Sequence, residues 1–218
     1  GQQFEIDSLE VIRYITNNDS LAKYGVDSNT MMTLIIPNSY LMWWNAPVKN
    51  ILARFADQQK KFWEGKREAK AAAHNLTLQQ VYTMASIVEE ETNKQEDKGL
   101  IASVYMNRLK KGMKLEADPT VKYAMRNFGL KRIMHGHLEY PSPYNTYRQT
   151  GLPPGPISTA SISTIDAVLD APETDYIFFV AKPDFNGYSN FAATYQQHLV
   201  YAKAYQRALD SLILSRNK

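Results

Sequence analysis

The sequence predicts an α+β fold that is mostly helical and has a small antiparallel sheet near the C-terminus. Apolar residues recur at helical spacing through most of the 218 residues. Over residues 175–194 the pattern changes to two short apolar runs around Asn186-Gly187, a turn signal typical of a β-hairpin. The length suits one ordinary domain, and no internal repeat is present. We therefore expect one main domain whose sheet is this C-terminal hairpin.

The N-terminal third is expected to hold two helical stretches separated by an apolar segment. Residues 7–24 have the spacing of a short amphipathic helix. The segment 33–47, TLIIPNSYLMWWNAP, starts as an extended apolar run, breaks at Pro37 and carries an aromatic cluster that we expect to be exposed. Asn45 is a candidate N-cap for a long charged helix that continues to about Ala73.

Two further helices are predicted in the middle of the chain. The first follows Thr77, which forms a capping box with Gln80, and it contains three consecutive glutamates. The second covers about 96–111 and ends at Gly112, with cations in its last turn. The segment NKQE at 93–96 offers another capping box, so we expect the chain to bend between the two helices.

The remaining chain combines a short helix, an irregular loop and a final helix. An extended piece turns helical at Asp118-Pro119. The region 141–156 holds five of the ten prolines, which predicts a rigid, irregular loop. A closing amphipathic helix is expected over about 194–215. The expected anchors of the loop are Tyr144, Tyr147 and Leu152.

Composition excludes several classes of function. The net charge is +3, and the basic stretch 60–70 also carries two glutamates, which favours a solvated helix face over a nucleic-acid site. The absence of cysteine excludes disulfide frameworks and cysteine-ligated zinc. No apolar run is long enough to span a membrane. The histidine pair in HGH, 135–137, lacks neighbouring carboxylates, so we expect no metal site and no cofactor.

The three consecutive glutamates, Glu89 to Glu91, follow an apolar run on the predicted middle helix. Successive helical residues are about 100° apart, so Glu90 lies opposite the buried stripe that contains Val81 and Val88. Glu89 and Glu91 lie on the two borders of that stripe, about 80° to either side. We therefore expect Glu90 to face solvent and the other two to be partly buried.

The two border glutamates differ in their neighbours. Glu91 lies beside Ile87 and Val88, and an apolar border raises the pKa of a carboxyl group, as a general acid near neutral pH requires. This favours Glu91 over Glu89 as a catalytic acid. The alternative is that both side chains are structural and bind backbone amides or Arg108.

Three long segments carry a resemblance to a known family. They are MASIVEEET at 84–92, IASVYMNRLKKGMKLEADPTVKYAM at 101–125 and SPYNTYRQTGLPPGPIS at 142–158. In their order, spacing and residue identities they resemble the YceG-like family of endolytic murein transglycosylases. The resemblance implies a residual N-terminal segment over 1–33 and a YceG-like catalytic domain over 34–218.

The resemblance implies a lytic reaction on peptidoglycan with one catalytic glutamate. The family cleaves the β-1,4 bond between N-acetylmuramic acid and N-acetylglucosamine within glycan strands and leaves 1,6-anhydro ends. Its catalytic residue falls on Glu91, which would act as general acid and then as general base. One alternative is a hydrolytic muramidase that pairs Glu91 with Asp118 or Glu89. Another is a glycan-binding module without activity.

The same resemblance suggests residues that line the glycan groove. The aromatic pair of PYNTY offers faces for sugar rings, and its two polar residues offer hydrogen bonds, although both tyrosines could instead anchor the loop. Ser189 stands where the family often has a histidine, while Phe191, Thr194 and His198 keep the family pattern. Asn107 and Arg108 are candidates to orient Glu91. The substrate-binding candidates are Glu89, Asn107, Asp118, Thr120, Tyr144, Asn145, Thr146 and Tyr147.

The resemblance also implies a cellular setting. The expected partners are peptidoglycan glycan strands and peptidoglycan synthases, with no role for nucleic acid. Family members are typically anchored in the bacterial inner membrane and act on its periplasmic side. We therefore expect the full-length protein to be anchored through a segment that this chain does not contain.

Overall fold

The computed structural model describes residues 5–130 and 132–216. In this part of the chain an α+β arrangement is present, with one two-stranded antiparallel sheet, which confirms the predicted class. A short 3-10 helix covers Met31–Leu34. The helices are α1 (Ser8–Ile15), α2 (Asn18–Ala22), α3 (Val48–Trp63), α4 (Lys66–Ala73), α5 (Leu78–Glu91), α6 (Gln95–Lys110), α7 (Asp118–Ala124), α8 (His135–Leu138), α9 (Ile162–Leu169) and α10 (Tyr195–Arg216). The strands are β1 (Phe178–Ala181) and β2 (Ser189–Ala192).

Helix α5 is the centre of the main hydrophobic core. Every residue from Val81 to Val88 is buried, because α4, α6, α7 and α9 all pack around this helix. The polar residue Ser86 is satisfied inside this core: its hydroxyl donates to the carbonyl of Thr83 and accepts from the amide of Ile157 at 3.0 Å. The first and last turns of α5 lie outside this buried run, and the last turn carries the three glutamates.

The observed ends of the two central helices, α5 and α6, agree in part with the ends predicted from the sequence. The capping box of α5 is confirmed, since Thr77 and Gln80 exchange side chain to backbone hydrogen bonds. Gly112 follows α6 with a φ of 64°, a left-handed conformation that glycine tolerates and that stops the helix. The capping box predicted at 93–96 is wrong: Lys94 precedes α6 without a side-chain cap, and its amide bonds the hydroxyl of Thr92 instead.

Three predicted features of the N-terminal third are corrected. The helix expected over 7–24 is two helices, because the side chain of Asn17 caps α2 by accepting from the amide of Ser20. The long charged helix is interrupted at Gly65, whose φ of 83° is incompatible with helix. Asn45 is not the N-cap of α3, since Pro47 occupies that position. The predicted exposure of the aromatic cluster is confirmed for Trp43 and Trp44, whereas Tyr40 is half-buried and packs on Phe55.

The predicted C-terminal hairpin is confirmed, with a longer connection than a two-residue turn. Phe178 pairs with Ala192, and Ala181 pairs with Ser189. The connection is residues 182–188, so Asn186-Gly187 lies inside a loop in which the Asn186 side chain accepts from the amide of Tyr188. Helix α10 follows β2 directly and packs on both strands.

The N-terminal segment packs onto the rest of the chain. Its buried residues Leu21 and Val26 form a second hydrophobic cluster with residues of α3. The carbonyl of Asn29 lies so close to Gly155 that a Cβ there would be 2.1 Å from its oxygen. The boundary expected after residue 33 stays a prediction. Within residues 5–130 and 132–216, no helix combines the length and the apolar character needed to cross a bilayer.

Candidate active site

A cavity of about 400 Å³ opens where α5 ends, and we call it the Glu91 cavity. Four parts of the chain meet there: the end of α5, the segment from α6 to α7, the proline-rich loop and the hairpin with α10. These parts are far apart in the sequence, since the lining residues run from Glu91 to His198. Its chemically important lining residues are Glu91, Arg108, Asp118, Tyr147, Phe178 and His198.

A larger cavity lies beside α6 and the chain before β1, but its lining lacks a shielded carboxyl group. It measures about 540 Å³ and is lined by Asn107, Lys110 and residues 171–175. Its carboxylates, Glu173 and Asp175, are exposed side chains. A carboxyl group that acts as a general acid near neutral pH is usually shielded from solvent, and these two are not. The smaller Glu91 cavity is therefore the candidate active site.

Glu91 has the electrostatic properties of a general acid. It is half-buried, and the hydroxyl of Tyr105 on α6 donates a hydrogen bond of 2.7 Å to its Oε1. Burial is the main cause that raises the pKa of Glu91 to about 7. The Tyr105 hydrogen bond opposes this rise, while the negative charge of Asp118 adds to it. At neutral pH this carboxyl group can therefore both donate and accept a proton.

Glu89 occupies the opposite kind of environment. It accepts hydrogen bonds from Lys98 at 3.2 Å, from the Ser161 hydroxyl at 2.9 Å and from the Thr164 hydroxyl. Burial alone would raise the pKa of Glu89, but the hydroxyls of Thr164 and Ser161 and the charge of Lys98 lower it below its usual range. Glu89 is thus a structural anion. Glu90, between the two, is exposed as the helical geometry predicts.

Arg108 lies in the Glu91 cavity but does not bind the catalytic candidate directly. Its guanidinium group donates to the carbonyls of Ile177 and Leu115, both at 2.8 Å, and to Glu116 at 3.1 Å. These bonds tie α6 to the start of β1 and to the segment before α7. The hydrogen bond to Glu91 comes from Tyr105 instead.

Asn107 and Tyr144 both lie outside the Glu91 cavity. The side-chain amide of Asn107 donates to the carbonyls of Thr174 and Tyr176 and so holds the chain before β1. The ring of Tyr144 packs on that of Tyr123 with 4.7 Å between centroids. Neither position supports the predicted contact with a substrate at Glu91.

Asp118 and Tyr147 are predicted site residues that do line the Glu91 cavity. The Tyr147 hydroxyl donates to Asp118 Oδ1 at 2.7 Å, which fixes the carboxylate at the start of α7. Asp118 is the first residue of α7 and not its cap, since Ala117 precedes it as the N-cap. Asp118 is thus one of three carboxylates that line the cavity, with Glu91 and Glu116.

Three predicted substrate-binding residues are inside the protein instead. Asn145, Thr146 and Thr120 are at most 1% exposed. Asn145 donates to the carbonyls of Leu138 and Tyr140, and Thr146 accepts from the amide of Ala117. Their burial does not support direct contact with a substrate. We interpret the three as residues that position the loop bearing Tyr147.

Some cavity residues are missed by reasoning from the sequence. The ring of His198 stacks on Phe178 at 5.1 Å, and burial together with the charge of Arg108 lowers the pKa of His198. Tyr105, which binds Glu91 but does not itself line the cavity, is also missed, although it lies one helical turn before Arg108 on α6. The retained family pattern around His198 was the available signal. Ser189 is not among the lining residues; its amide donates to Asp97.

Comparison with known proteins finds endolytic murein transglycosylases and a yceG-like protein among the similar chains. The chain is 41% identical over 145 residues to an endolytic murein transglycosylase of Bacillus subtilis (strain 168). It is 37% identical over 111 residues to an endolytic murein transglycosylase of Streptococcus pneumoniae serotype 2. The crystal structure of a yceG-like protein from Listeria monocytogenes superposes with a TM-score of 0.74 at 28% identity, covering 89% of this chain and 67% of that one.

These matches cover unequal shares of the proteins compared. The B. subtilis match covers 66% of this chain and 38% of the relative. The S. pneumoniae match covers 49% of this chain and 20% of the relative. The chain therefore spans well under half the length of the curated relatives it matches. The sequence model of the YceG-like family matches residues 4–204. Since this is most of the chain, the chain belongs to the YceG-like family.

Proposed function

We propose that this chain carries the catalytic site of an endolytic peptidoglycan lytic transglycosylase. The observation that carries the proposal is Glu91, a half-buried carboxyl group with a pKa raised to about 7 at the wall of a cavity. The relatives named endolytic murein transglycosylases support the choice of peptidoglycan as substrate. The bond that we propose is cleaved is the β-1,4 bond from N-acetylmuramic acid to N-acetylglucosamine within the strand.

The chemistry requires one group that donates and then accepts a proton. Glu91 gives its proton to the glycosidic oxygen as the bond to muramyl C1 breaks, so N-acetylglucosamine leaves as an alcohol. The resulting carboxylate takes the proton of the muramyl C6 hydroxyl while that oxygen bonds to C1, which closes the 1,6-anhydro ring. Because the nucleophile belongs to the substrate, no water enters the product. Tyr105 holds Glu91 in place for both transfers.

A second candidate is hydrolysis of the same bond. It is favoured by Asp118, which lines the same cavity and could act as the base for a water molecule. The hydrogen bond from Tyr147 occupies one oxygen of Asp118 and leaves the other for such a role. Glu89, the other partner considered, is held by Lys98 and two hydroxyl groups and is not suited to this role.

Digestion of purified peptidoglycan separates these possibilities. Mass analysis of the released fragments should show 1,6-anhydromuramyl ends, lighter by one water than reducing ends. Predominantly reducing ends would support hydrolysis instead. Binding to peptidoglycan without any cleavage would leave only a glycan-binding module. Addition of EDTA should not change the rate, because the proposed mechanism uses protein and substrate groups alone.

The setting of the reaction is part of the same proposal. Glycan strands are the proposed substrate, and peptidoglycan synthases are the proposed partners. The proposed location is the periplasmic side of the bacterial inner membrane, with an anchor outside this chain. The names of the relatives support a role in the cell wall.

A further inference from the structure

A second cavity adjoins the Glu91 cavity, and we call it the α7 cavity. It measures about 210 Å³ and is lined by Glu90, Pro119, Lys122, Tyr123, Phe128, Ile157 and Ser158. Consecutive residues separate the two cavities: Glu91 and Asp118 line one, whereas Glu90 and Pro119 line the other. The charge of Lys122 in the α7 cavity acts on Glu91, where it opposes the rise in pKa, so the two cavities lie near each other.

The floor and one wall of the α7 cavity are firmly held. Ser86 of α5 binds the floor, accepting from the amide of Ile157 at 3.0 Å and, through its carbonyl, from the Ser158 hydroxyl at 3.1 Å. The wall is formed by Tyr123, whose ring carries the Arg126 guanidinium at 4.3 Å from its centroid. The site is thus built before any ligand arrives.

The α7 cavity combines charges of both signs with aromatic surface. Lys122 supplies a cation, Glu90 supplies an exposed anion, and Phe128 is 66% exposed at the rim. An N-acetylhexosamine ring carries hydroxyl and amide groups and has no charge with which to form an ion pair. A short peptide with free carboxylates and a free amine can pair with both the cation and the anion. The aromatic rings suit its aliphatic side chains.

We propose that the α7 cavity binds the peptide substituent of the glycan strand, with Lys122 pairing with a peptide carboxylate and Glu90 with a peptide amine. This inference rests on the proposed function, since the muramyl residue next to the cleaved bond carries such a peptide. It makes the enzyme selective for strands that still bear peptides. The lining of the cavity and its position beside Glu91 carry the assignment.

Peptide binding tests the inference without any need for catalysis. The probe is the synthetic peptide L-Ala-D-Glu-L-Lys-D-Ala, compared with the same peptide whose carboxylates are amidated. Binding to the protein is followed by NMR titration. Amidation should weaken binding to the wild type by about fivefold, as for one partly exposed charge pair. Lys122→Met should bind the free peptide about fivefold more weakly, with little further loss on amidation.

The controls separate this inference from the proposed function. Lys60→Met, at an exposed position on α3, should bind both peptides as the wild type does. Lys122→Met must keep the melting temperature of the wild type. Equal binding of the two peptides by the wild type, or unchanged binding by Lys122→Met, would overturn the assignment. If the protein binds the peptide as expected and shows no cleavage of peptidoglycan, the proposed function is contradicted and the inference about the α7 cavity stands.

Rates on two substrates complete the test. Loss of the Lys122 charge removes one influence that lowers the pKa of Glu91, and this effect is common to every substrate. Relative to the wild type, Lys122→Met should therefore lose about fivefold more rate on intact peptidoglycan at low substrate than on strands stripped of peptides by an amidase. An equal loss on both substrates would show that Lys122 acts on the sugar or the reaction, and the inference would fail.

Discussion

Glu89 and Glu91 are separated by one residue, and their surroundings shift their pKa values in opposite directions. Glu89 receives a cation and two hydroxyl donors, so its pKa is lowered and it adds stability above its unfolded pKa that is lost as pH falls. Glu91 is buried with one phenolic donor, so its pKa is raised and it removes stability as pH rises. Only Glu91 suits proton transfer near neutral pH.

Glu91→Gln should abolish most of the activity while the fold persists. Glutamine keeps the shape and can still accept from Tyr105, but it has no proton to transfer. The rate of peptidoglycan cleavage should fall by about 10²–10⁴-fold, the contribution of general acid–base catalysis. The matched control is Glu96→Gln, which changes an exposed carboxylate in the first turn of α6. A variant that retains more than a tenth of the activity would remove Glu91 from the mechanism.

The rate should also fall as pH rises through about 7. The first step needs protonated Glu91, whose pKa is raised to about 7 by burial. The measurement is kcat/KM on soluble glycan fragments across the neutral range. Because the pKa of Glu89 is lowered, that residue contributes no titration there. A rate that keeps rising above pH 8 would contradict the role of Glu91 as the acid.

Glu91→Gln should stabilise the fold at alkaline pH. The pKa of Glu91 is raised to about 7 from an ordinary value of 4.5, so the folded state binds the proton more tightly than the unfolded state. The resulting loss of stability is absent at acidic pH and complete above the folded pKa. At pH 8 the free energy of unfolding of the variant should exceed that of the wild type by on the order of 1–3 kcal/mol. Urea unfolding at pH 4 should show no such difference.

At the scale of single elements, short sequence motifs predicted some helix ends correctly but did not predict where a helix is interrupted. The capping box at Thr77 and the stop at Gly112 depend on residues next to one another in sequence, and both are confirmed. The break at Gly65 was missed, because an isolated glycine in a charged helical pattern does not reveal a φ of 83°. The connection between β1 and β2 is longer than the Asn186-Gly187 signal suggests, since side chains of the loop bind its own backbone.

The candidate site shows the same limit of local information. Helical geometry favours Glu91 because one turn contains its apolar neighbours, and its assignment as the catalytic residue rests on the family resemblance. His198 and Phe178 were not found, because they reach the cavity only after α10 folds back on the hairpin. Thr146 and Asn145 have polar side chains that suggest a groove, yet their partners are backbone groups that sequence alone does not bring near.

Glu89→Gln should weaken the contact between α5, α6 and α9. The Lys98 side chain is 7% exposed, and the change leaves this cation without its counter-charge. Since Glu89 itself is 26% exposed, we expect a loss of about 2 kcal/mol rather than the full cost of breaking a buried pair. The measurement is urea unfolding at neutral pH. Glu139→Gln is the control, because its pair with Arg148 is exposed and should contribute less than about 1 kcal/mol. Equal losses in both variants would count against this view of Glu89.

At the scale of the whole molecule, Gly155 joins the N-terminal segment to the proline-rich loop. A methyl group there would lie 2.1 Å from the carbonyl oxygen of Asn29, which is backbone and cannot turn aside. Gly155→Ala should therefore destabilise the protein by about 1–3 kcal/mol, as overpacking does. Calorimetric melting gives the measurement. Gly136→Ala has nothing within 4 Å of the new Cβ and should be neutral. A neutral Gly155→Ala would show that the two segments are not in close contact.

The contact at Asn29 also connects the N-terminal segment to the proposed peptide site. Its side chain accepts from the Tyr144 hydroxyl at 3.3 Å, and Tyr144 packs on Tyr123, the wall of the α7 cavity. Linkage is reciprocal: if docking of the segment favours the binding-competent position of Tyr123, then a bound peptide must favour docking to the same extent. Hydrogen exchange of the amides around Asn29 should then slow when the peptide binds. The exchange rate in the N-terminal segment would therefore measure how much of the α7 cavity is occupied.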